Sequence, residues 1–251
     1  MPDEFIGLIP AAGKGVRLQL PYPKELYPII RDNRYKPISQ YIVENLTSSG
    51  VQHIVFVINE TKHQLIGYFG NGSRFNCNFS YVVQEQREDN NQSTSPGLAH
   101  ALNSAHHLIT GKTVCFGMAD TIITPINIYQ MLMESASSTD DVLLGIFPTD
   151  RPEKGALVRM DNNGRVFRID DKPKNPDMKS TWGVIIWRPR FTNYLKSQID
   201  SGVYDFAQIM NNAIQAGLNF HGKFLPDATY SDLGTYDEIV ELERKQSALM
   251  G

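Results

Sequence analysis

Short apolar runs alternate with stretches of helical spacing through the first 150 residues of the chain. Phe5-Ile-Gly-Leu-Ile-Pro10, His53-Ile-Val-Phe-Val-Ile58, Phe79-Ser-Tyr-Val-Val83, Thr113-Val-Cys-Phe116 and Val142-Leu-Leu-Gly-Ile-Phe147 are compact and rich in β-branched or aromatic residues. Such runs read as buried strands. Between them, Ile38, Tyr41, Ile42, Asn45 and Leu46 recur at helical spacing up to Ser48-Ser-Gly50, and further helices are predicted over 62–69, 98–108 and 128–133. Strand and helix in alternation imply right-handed crossovers and a mostly parallel, doubly wound α/β sheet. Beyond Pro148 the pattern changes. Residues 156–160, 165–169 and 182–187 look like a smaller antiparallel layer, with Asp161-Asn-Asn-Gly164 as a hairpin turn. Helices are expected over 191–199 and 206–216, a strand over 220–224 and a closing helix over 238–249. Asn90-Asn-Gln-Ser-Thr-Ser-Pro96 is polar and reads as a flap. One domain spanning 1–251 accommodates all of this, with halves at 1–150 and 151–251.

The first strand empties into Ala11-Ala-Gly-Lys-Gly-Val-Arg-Leu18, followed by Pro23-Lys-Glu-Leu26. A small-residue bend leaves successive backbone N–H groups uncovered, and no Cβ blocks an approaching phosphate. Arg17 and Lys24 follow at once and suit a polyphosphate. The dinucleotide fingerprint is excluded because its third glycine would fall on Leu18. Gly111-Lys-Thr113 is no P-loop either: His106 stands where the first glycine belongs, and a strand follows.

Asp120 ends the fourth strand, where ligands of open parallel sheets bind. Alternatively it caps a following helix, as Asp232 in Tyr230-Ser-Asp-Leu-Gly-Thr235 could cap the last one. If the two carboxylates converge, they make a hard oxygen site for Mg²⁺. Asp171-Lys-Pro-Lys174 alone reads as an exposed turn. The histidines lack ligand spacing, and no nucleophile elbow or Cys/His pair supports acyl chemistry.

Composition narrows the classes. A net charge of −3 gives no basic field for nucleic acid or an anionic membrane. Cys77 and Cys115 are too few for a disulfide framework and wrongly spaced for zinc. No run approaches the ~18 apolar residues of a membrane helix. Neither is a signal peptide expected, so the expected location is the reduced cytoplasm.

Taken together, the pieces resemble the sugar-1-phosphate nucleotidyltransferases, particularly the glucose-1-phosphate thymidylyl- and uridylyltransferases. Ala12-Gly-Lys-Gly-Val-Arg-Leu18 and Lys24 look like the family's glycine-rich signature and its lysine. Gly72-Ser-Arg-Phe75, Ser80-Tyr-Val-Val-Gln84 and Gly97-Leu-Ala-His-Ala101 are similar to the base-reading segment, and Ser231-Asp-Leu-Gly-Thr235 resembles the late metal motif. The resemblance implies a Rossmann-like fold of the nucleotide-diphospho-sugar transferase type, with the antiparallel layer binding sugar. It implies a nucleotide half over 1–150, and a sugar-phosphate half with the closing helix over 151–251. It also implies Mg²⁺ on Asp120 and Asp232, and catalytic roles for Arg17, Lys24, Asp120, Lys172 and Asp232. Ala11, Ala12, Gly13, Gly15, Gln84 and Gly97 would face the nucleotide, while Gly155, Asp171, Lys172 and Gly183 would face the sugar phosphate. The reactants would be a nucleoside triphosphate, dTTP or UTP, and a sugar 1-phosphate. Relatives of this kind are commonly dimers or tetramers, so a homo-oligomer is possible.

The chain also departs from the pattern. Val16 replaces a threonine, Ala119 a glycine and Asp171 a glutamate, and residues 86–95 are inserted before Gly97. Lys24 follows Gly15 by nine positions, a spacing that with Pro10-Ala-Ala-Gly13 looks like the CTP-dependent cytidylyltransferases of isoprenoid precursor synthesis. A cytidylyltransferase for a sugar, alditol or alcohol phosphate therefore stays open. So does a non-catalytic nucleotide-sugar-binding regulator on the same fold.

Overall fold

The computed structural model describes residues 4–15, 18–31, 34–85 and 97–250. Its strands and helices run β1 (Phe5–Pro10), β2 (Pro28–Arg31), β3 (Arg34–Pro37), α1 (Ile38–Ser48), β4 (His53–Ile58), α2 (His63–Phe69) and β5 (Asn78–Val83). They continue with α3 (Leu98–Ser104), α4 (His106–Ile109), β6 (Thr113–Gly117), β7 (Thr121–Thr124), α5 (Ile128–Met133) and β8 (Val142–Pro148). The remainder are β9 (Ala156–Met160), β10 (Val166–Asp171), β11 (Ser180–Trp187), α6 (Pro189–Asp200), α7 (Phe206–Gln215), β12 (Phe220–Phe224), β13 (Thr229–Asp232) and α8 (Tyr236–Met250).

Seven strands form the main sheet in the order β12-β8-β11-β6-β1-β4-β5. β1 pairs in parallel with β4 and β6, β4 with β5, and β8 with β12. Only β11 runs antiparallel to its neighbours, β6 and β8. This is the mostly parallel α/β sheet expected from the alternation, with one correction. Residues 182–187 do not lie in the outer layer; β11 is a central strand whose Val184, Ile185 and Trp187 are fully buried. The outer layer is the β9–β10 ladder alone, turned at Gly164, whose φ of +82° is accessible to glycine. The stretch 98–108 is not one helix either, because α3 stops at Ser104 and α4 begins at His106. Four short strands outside the main sheet went unforeseen: β2 and β3 pair as a hairpin, while β7 pairs with β13.

Two large apolar clusters cover the sheet faces, one around Phe116, Trp187 and Phe191, the other around Phe56, Phe69 and Phe147. Aromatic packing is dense on both: Trp187 lies 5.8 Å from Phe116 and 5.7 Å from Phe191 between ring centroids. A third, smaller cluster gathers Leu18, Ile29, Ile38, Tyr41, Ile122, Leu233 and Ile239. It unites the end of the glycine loop, β2, α1, β7, the residue after β13, and α8. Among the described residues no helix is long and apolar enough to cross a membrane.

Candidate functional site

The carboxyl ends of β1, β4, β5 and β6 point the same way, so the loops that follow them share one rim of the sheet. The glycine loop begins there. Ala11 N–H donates to Val57 O at 2.7 Å, and the Asn59 Nδ2 donates to Ala12 O at 2.8 Å. Ala11 is buried, whereas Gly13 is exposed with open space on its Cβ side. Gly15 adopts φ +64°, a left-handed conformation in which a side chain would be strained. Leu18, fully buried in the third cluster, anchors the loop's far end. Arg17 and Val16 lie outside the described residues, as does the 86–95 insertion.

Lys24 opens a 3-10 turn, Lys24–Leu26, and its stem passes 3.7 Å from the position a Cβ on Gly15 would take. Its ammonium forms an ion pair with Asp120 Oδ2, and both side chains are nearly withdrawn from water. Burial alone would lower the Lys24 pKa, but the attraction and hydrogen bond of Asp120 outweigh it, with Glu25 and Asp232 adding to the rise. The ammonium is therefore held charged above its ordinary range.

Asp120 does not cap a helix, because it leads directly into β7. On β13, Asp232 pairs in register with Thr121, and Leu233 N–H donates to Asp120 O at 2.9 Å. Two acids separated by more than a hundred residues thus meet where the turn into β7 adjoins the end of β13. Ile122 and Leu233 turn into the third cluster, Asp232 is exposed, and the charges of Asp120 and Asp232 both act on the Lys24 ammonium. The last helix takes its cap from Thr235, whose Oγ1 accepts from Glu238 N–H at 3.4 Å. Among the described residues no group of three or more His, Cys, Asp or Glu side chains gathers. A pair of carboxylates nonetheless suits Mg²⁺, which takes one or two and completes its shell with water and phosphate.

The Asp171-Lys-Pro-Lys174 turn starts at the last residue of β10, with Asp171, Lys172 and Lys174 exposed. Lys172 has φ +43°, and its N–H donates to Gly155 O at 2.9 Å, which brings the two together. A Cβ on Gly155 would fall 2.4 Å from Thr181 Oγ1. Gly183 is buried, and the room a side chain would need belongs to the rings of Tyr230 and Phe147. Tyr230 lies two residues before Asp232, so Gly155, Thr181, Gly183 and Tyr230 form a packed route from the Lys172 turn to the acids. Asp171 and Pro173 also edge a groove of about 590 Å³ between β10 and α7. Its walls are already paired: Arg159 bonds Asp170 and Asp177 at 2.6 and 3.0 Å, and Asn211 Nδ2 donates to Ile169 O at 2.8 Å.

At the same rim as the glycine loop, Gln84 follows β5, with its N–H donating to Ile58 O at 2.7 Å beside Asn59. Gly97 precedes α3. Unforeseen from the sequence are Asn59, Glu25 and Lys62. Glu25 and Lys62 form an ion pair with side-chain exposures of 2% and 4%. Burial raises the Glu25 carboxyl against the pull of Lys62, and lowers the Lys62 ammonium against the pull of Glu25. No spacing rule marks a buried pair 37 positions apart.

A mostly parallel sheet whose rim gathers a glycine loop, a lysine and two acids makes this an α/β protein of the doubly wound class. The sequence profile of the nucleotidyl transferase family matches residues 6–248, and the chain belongs to that family. A glucose-1-phosphate thymidylyltransferase of Neisseria meningitidis is 29% identical over 185 residues, which cover 71% of this chain and 58% of that relative. The match thus spans little more than half of that relative's length. A UTP–glucose-1-phosphate uridylyltransferase of Staphylococcus saprophyticus is 24% identical over 95% of this chain and 96% of its own. Among solved structures, a Bacillus anthracis protein assigned as a glucose-1-phosphate thymidylyltransferase, in complex with sucrose, superposes with a TM-score of 0.81. It is 21% identical over 97% of this chain and 94% of that one, and the likeness is one of fold.

Proposed function

We propose that the protein transfers a nucleotidyl group from a nucleoside triphosphate, dTTP or UTP, to a sugar 1-phosphate. The products are a nucleotide sugar and pyrophosphate. The observation that carries this reading is the β7–β13 ladder, which sets Asp232 beside Asp120 while Lys24 from the glycine loop's exit pairs with Asp120. The cytidylyl spacing of the loop keeps CTP in the test. The names of the relatives support the acceptor class.

The reaction joins two anions, so placement and charge neutralisation dominate it. A phosphate oxygen of the sugar phosphate, ionised at neutral pH, forms a bond to the α-phosphorus as the bond to the β-phosphate oxygen breaks. Pyrophosphate leaves with that electron pair, and no general base is required. Lys24, whose ammonium Asp120 and Asp232 further favour, meets the α-phosphate. Arg17 and the N–H groups from Ala11, Ala12, Gly13 and Gly15 hold the departing pyrophosphate. Mg²⁺, held by Asp120 and Asp232, supplies further neutralisation of phosphate charge when bound. Gln84 and Gly97 face the base. Lys172 orients the sugar phosphate, with Gly155 and Asp171 toward the sugar and Gly183 contributing through the Tyr230 packing. Residues 1–150 thereby serve mainly the nucleotide and 151–251 the acceptor, in a cytoplasmic enzyme that can assemble with copies of itself.

Pyrophosphate release measured over the common nucleoside triphosphates, each with sugar 1-phosphates and alditol phosphates, tests the proposal. Release with dTTP or UTP and a sugar 1-phosphate, lost on chelating Mg²⁺, is the expected result. Release with CTP and an alditol phosphate alone would reassign the acceptor, and nucleotide-sugar binding without any release would favour a regulator.

A further inference from the structure

The segment after β4 touches both ends of the glycine loop. Asn59, 3% exposed, donates from Nδ2 to Ala12 O at the entry, while its Oδ1 accepts from Thr61 N–H and Oγ1 at 3.0 and 2.7 Å. Three residues on, Lys62 donates to Glu25 Oε1 at the exit, next to Lys24. Asn59 caps and Lys62 ends a single 3-10 turn, Glu60–Lys62, so one short element carries both grips. Glu25 is further fixed through its backbone, since Ser39 Oγ donates to Glu25 O at 2.7 Å.

Stability alone does not account for this arrangement. A buried ion pair is commonly no better than well-packed apolar side chains of the same size, because desolvation offsets the attraction. The Glu25–Lys62 pair carries a visible cost of that kind: Glu25 Oε2 is buried with no hydrogen-bond partner among the described residues. What the pair does have is direction. Glu25 neighbours Lys24 in the chain, so seating the Glu25 carboxylate inward on Lys62 leaves Lys24 to turn toward Asp120. With its carboxylate hydrogen-bonded to Lys62, Glu25 acts on the Lys24 ammonium only through space, and the direct partner of Lys24 is Asp120.

We propose that Asn59, Lys62 and Glu25 form a brace that positions the glycine loop and Lys24 for the nucleotide. They are positioning residues: none of them faces the substrate. The inference rests on the nucleotidyl-transfer reading for its purpose, and on the contacts above for its parts.

The test uses the whole chain with Glu25→Met/Lys62→Met, Lys62→Met and Lys62→Arg, each compared with wild type in three measurements. These are the melting temperature, the affinity for Mg²⁺–dTTP and Mg²⁺–UTP without acceptor, and the kinetics of pyrophosphate release. The apolar double variant is expected to melt at or above wild type. Its nucleotide affinity and kcat/KM for nucleotide should fall about tenfold, with KM for the sugar phosphate nearly unchanged. Lys62→Arg should restore most of what Lys62→Met loses. Wild-type affinity and kinetics in the double variant would overturn the brace, as would losses that merely follow the melting temperature. Should the double variant not fold, Asn59→Asp removes the donor to Ala12 while keeping an acceptor for Thr61, and unchanged nucleotide affinity there would overturn the brace equally. A wild-type chain that binds nucleotide but transfers it to no sugar phosphate sinks the proposed reaction, while the affinities still decide the brace. One that binds no nucleotide overturns both.

Discussion

The seven-stranded sheet is covered on both faces by fully buried rings such as Phe56, Phe116, Phe147 and Trp187. The β7–β13 ladder pairs four residues with four and rests on a handful of aliphatic side chains, Ile122, Leu233, Ile239 and Leu18 among them. The first region holds the molecule together; the second brings the acids side by side. Asp120 belongs to both, since it leaves β6 and enters β7, whereas Asp232 depends on the small ladder alone. Damage to the sheet should therefore appear as lost stability, and damage to the ladder as lost turnover in a protein that still folds.

The sharpest contrast comes from the acids. Asp120→Asn keeps an acceptor for Lys24 but removes its charge, and should lower kcat by about a thousandfold or more in a chain that still folds, with a lower melting temperature because the half-buried Lys24 ammonium loses its counter-charge. Near-normal turnover at saturating Mg²⁺ would break the assignment. In the sheet, Phe116→Ala should cost about 3–5 kcal/mol in denaturant unfolding while the remaining folded enzyme keeps its KM values. Leu233→Ala lies between the two. It should cost about 2–3 kcal/mol and also lower kcat, because the residue that pins Asp232 is gone.

These contrasts follow what could and could not be read along the chain. Strands β1, β4, β5, β6 and β8 were legible because burial on both faces writes a continuous apolar run. β7 and β13 were not. Thr121-Ile-Ile-Thr124 is too short to give a period, and Thr229-Tyr-Ser-Asp232 is polar, with a partner more than a hundred residues away. β11 reads as an outer strand in sequence because it follows a hairpin, although Val184, Ile185 and Trp187 place it among the most buried strands. Lys24, Asp120 and Asp232 stood out by motif. Glu25, Lys62 and Asn59 did not, since what distinguishes them is burial, and a Lys or Glu in a polar stretch reads as solvated.

Smaller effects sharpen the acceptor side. Lys172→Ala should raise KM for the sugar phosphate about tenfold with KM for nucleotide nearly unchanged, and equal effects on both would sink that role. The weakest prediction concerns α8, which is stapled to the 3-10 turn Pro152–Lys154 before Gly155 by ion pairs. Lys154 bonds Glu238 at 2.8 Å, and Arg151 reaches Glu238 and Glu241. Burial raises the Glu238 carboxyl, but Lys154 and Thr235 outweigh it and hold its pKa below the ordinary 4.5. Its contribution to stability is therefore present above that value and lost as the pH falls through the lower folded-state value. Glu238→Gln should flatten the acid limb of the melting curve against pH, and an unchanged limb would contradict the staple.

Asp120 and Asp232 are expected to serve one divalent ion beside the glycine loop. Anomalous diffraction from crystals grown with Mn²⁺ and a non-hydrolysable nucleoside triphosphate measures this directly. The predicted result is a Mn²⁺ peak touching both carboxylates and the α-phosphate, with Lys24 turned to the same phosphate. A peak away from Asp232, or a nucleotide bound elsewhere on the sheet, would contradict it.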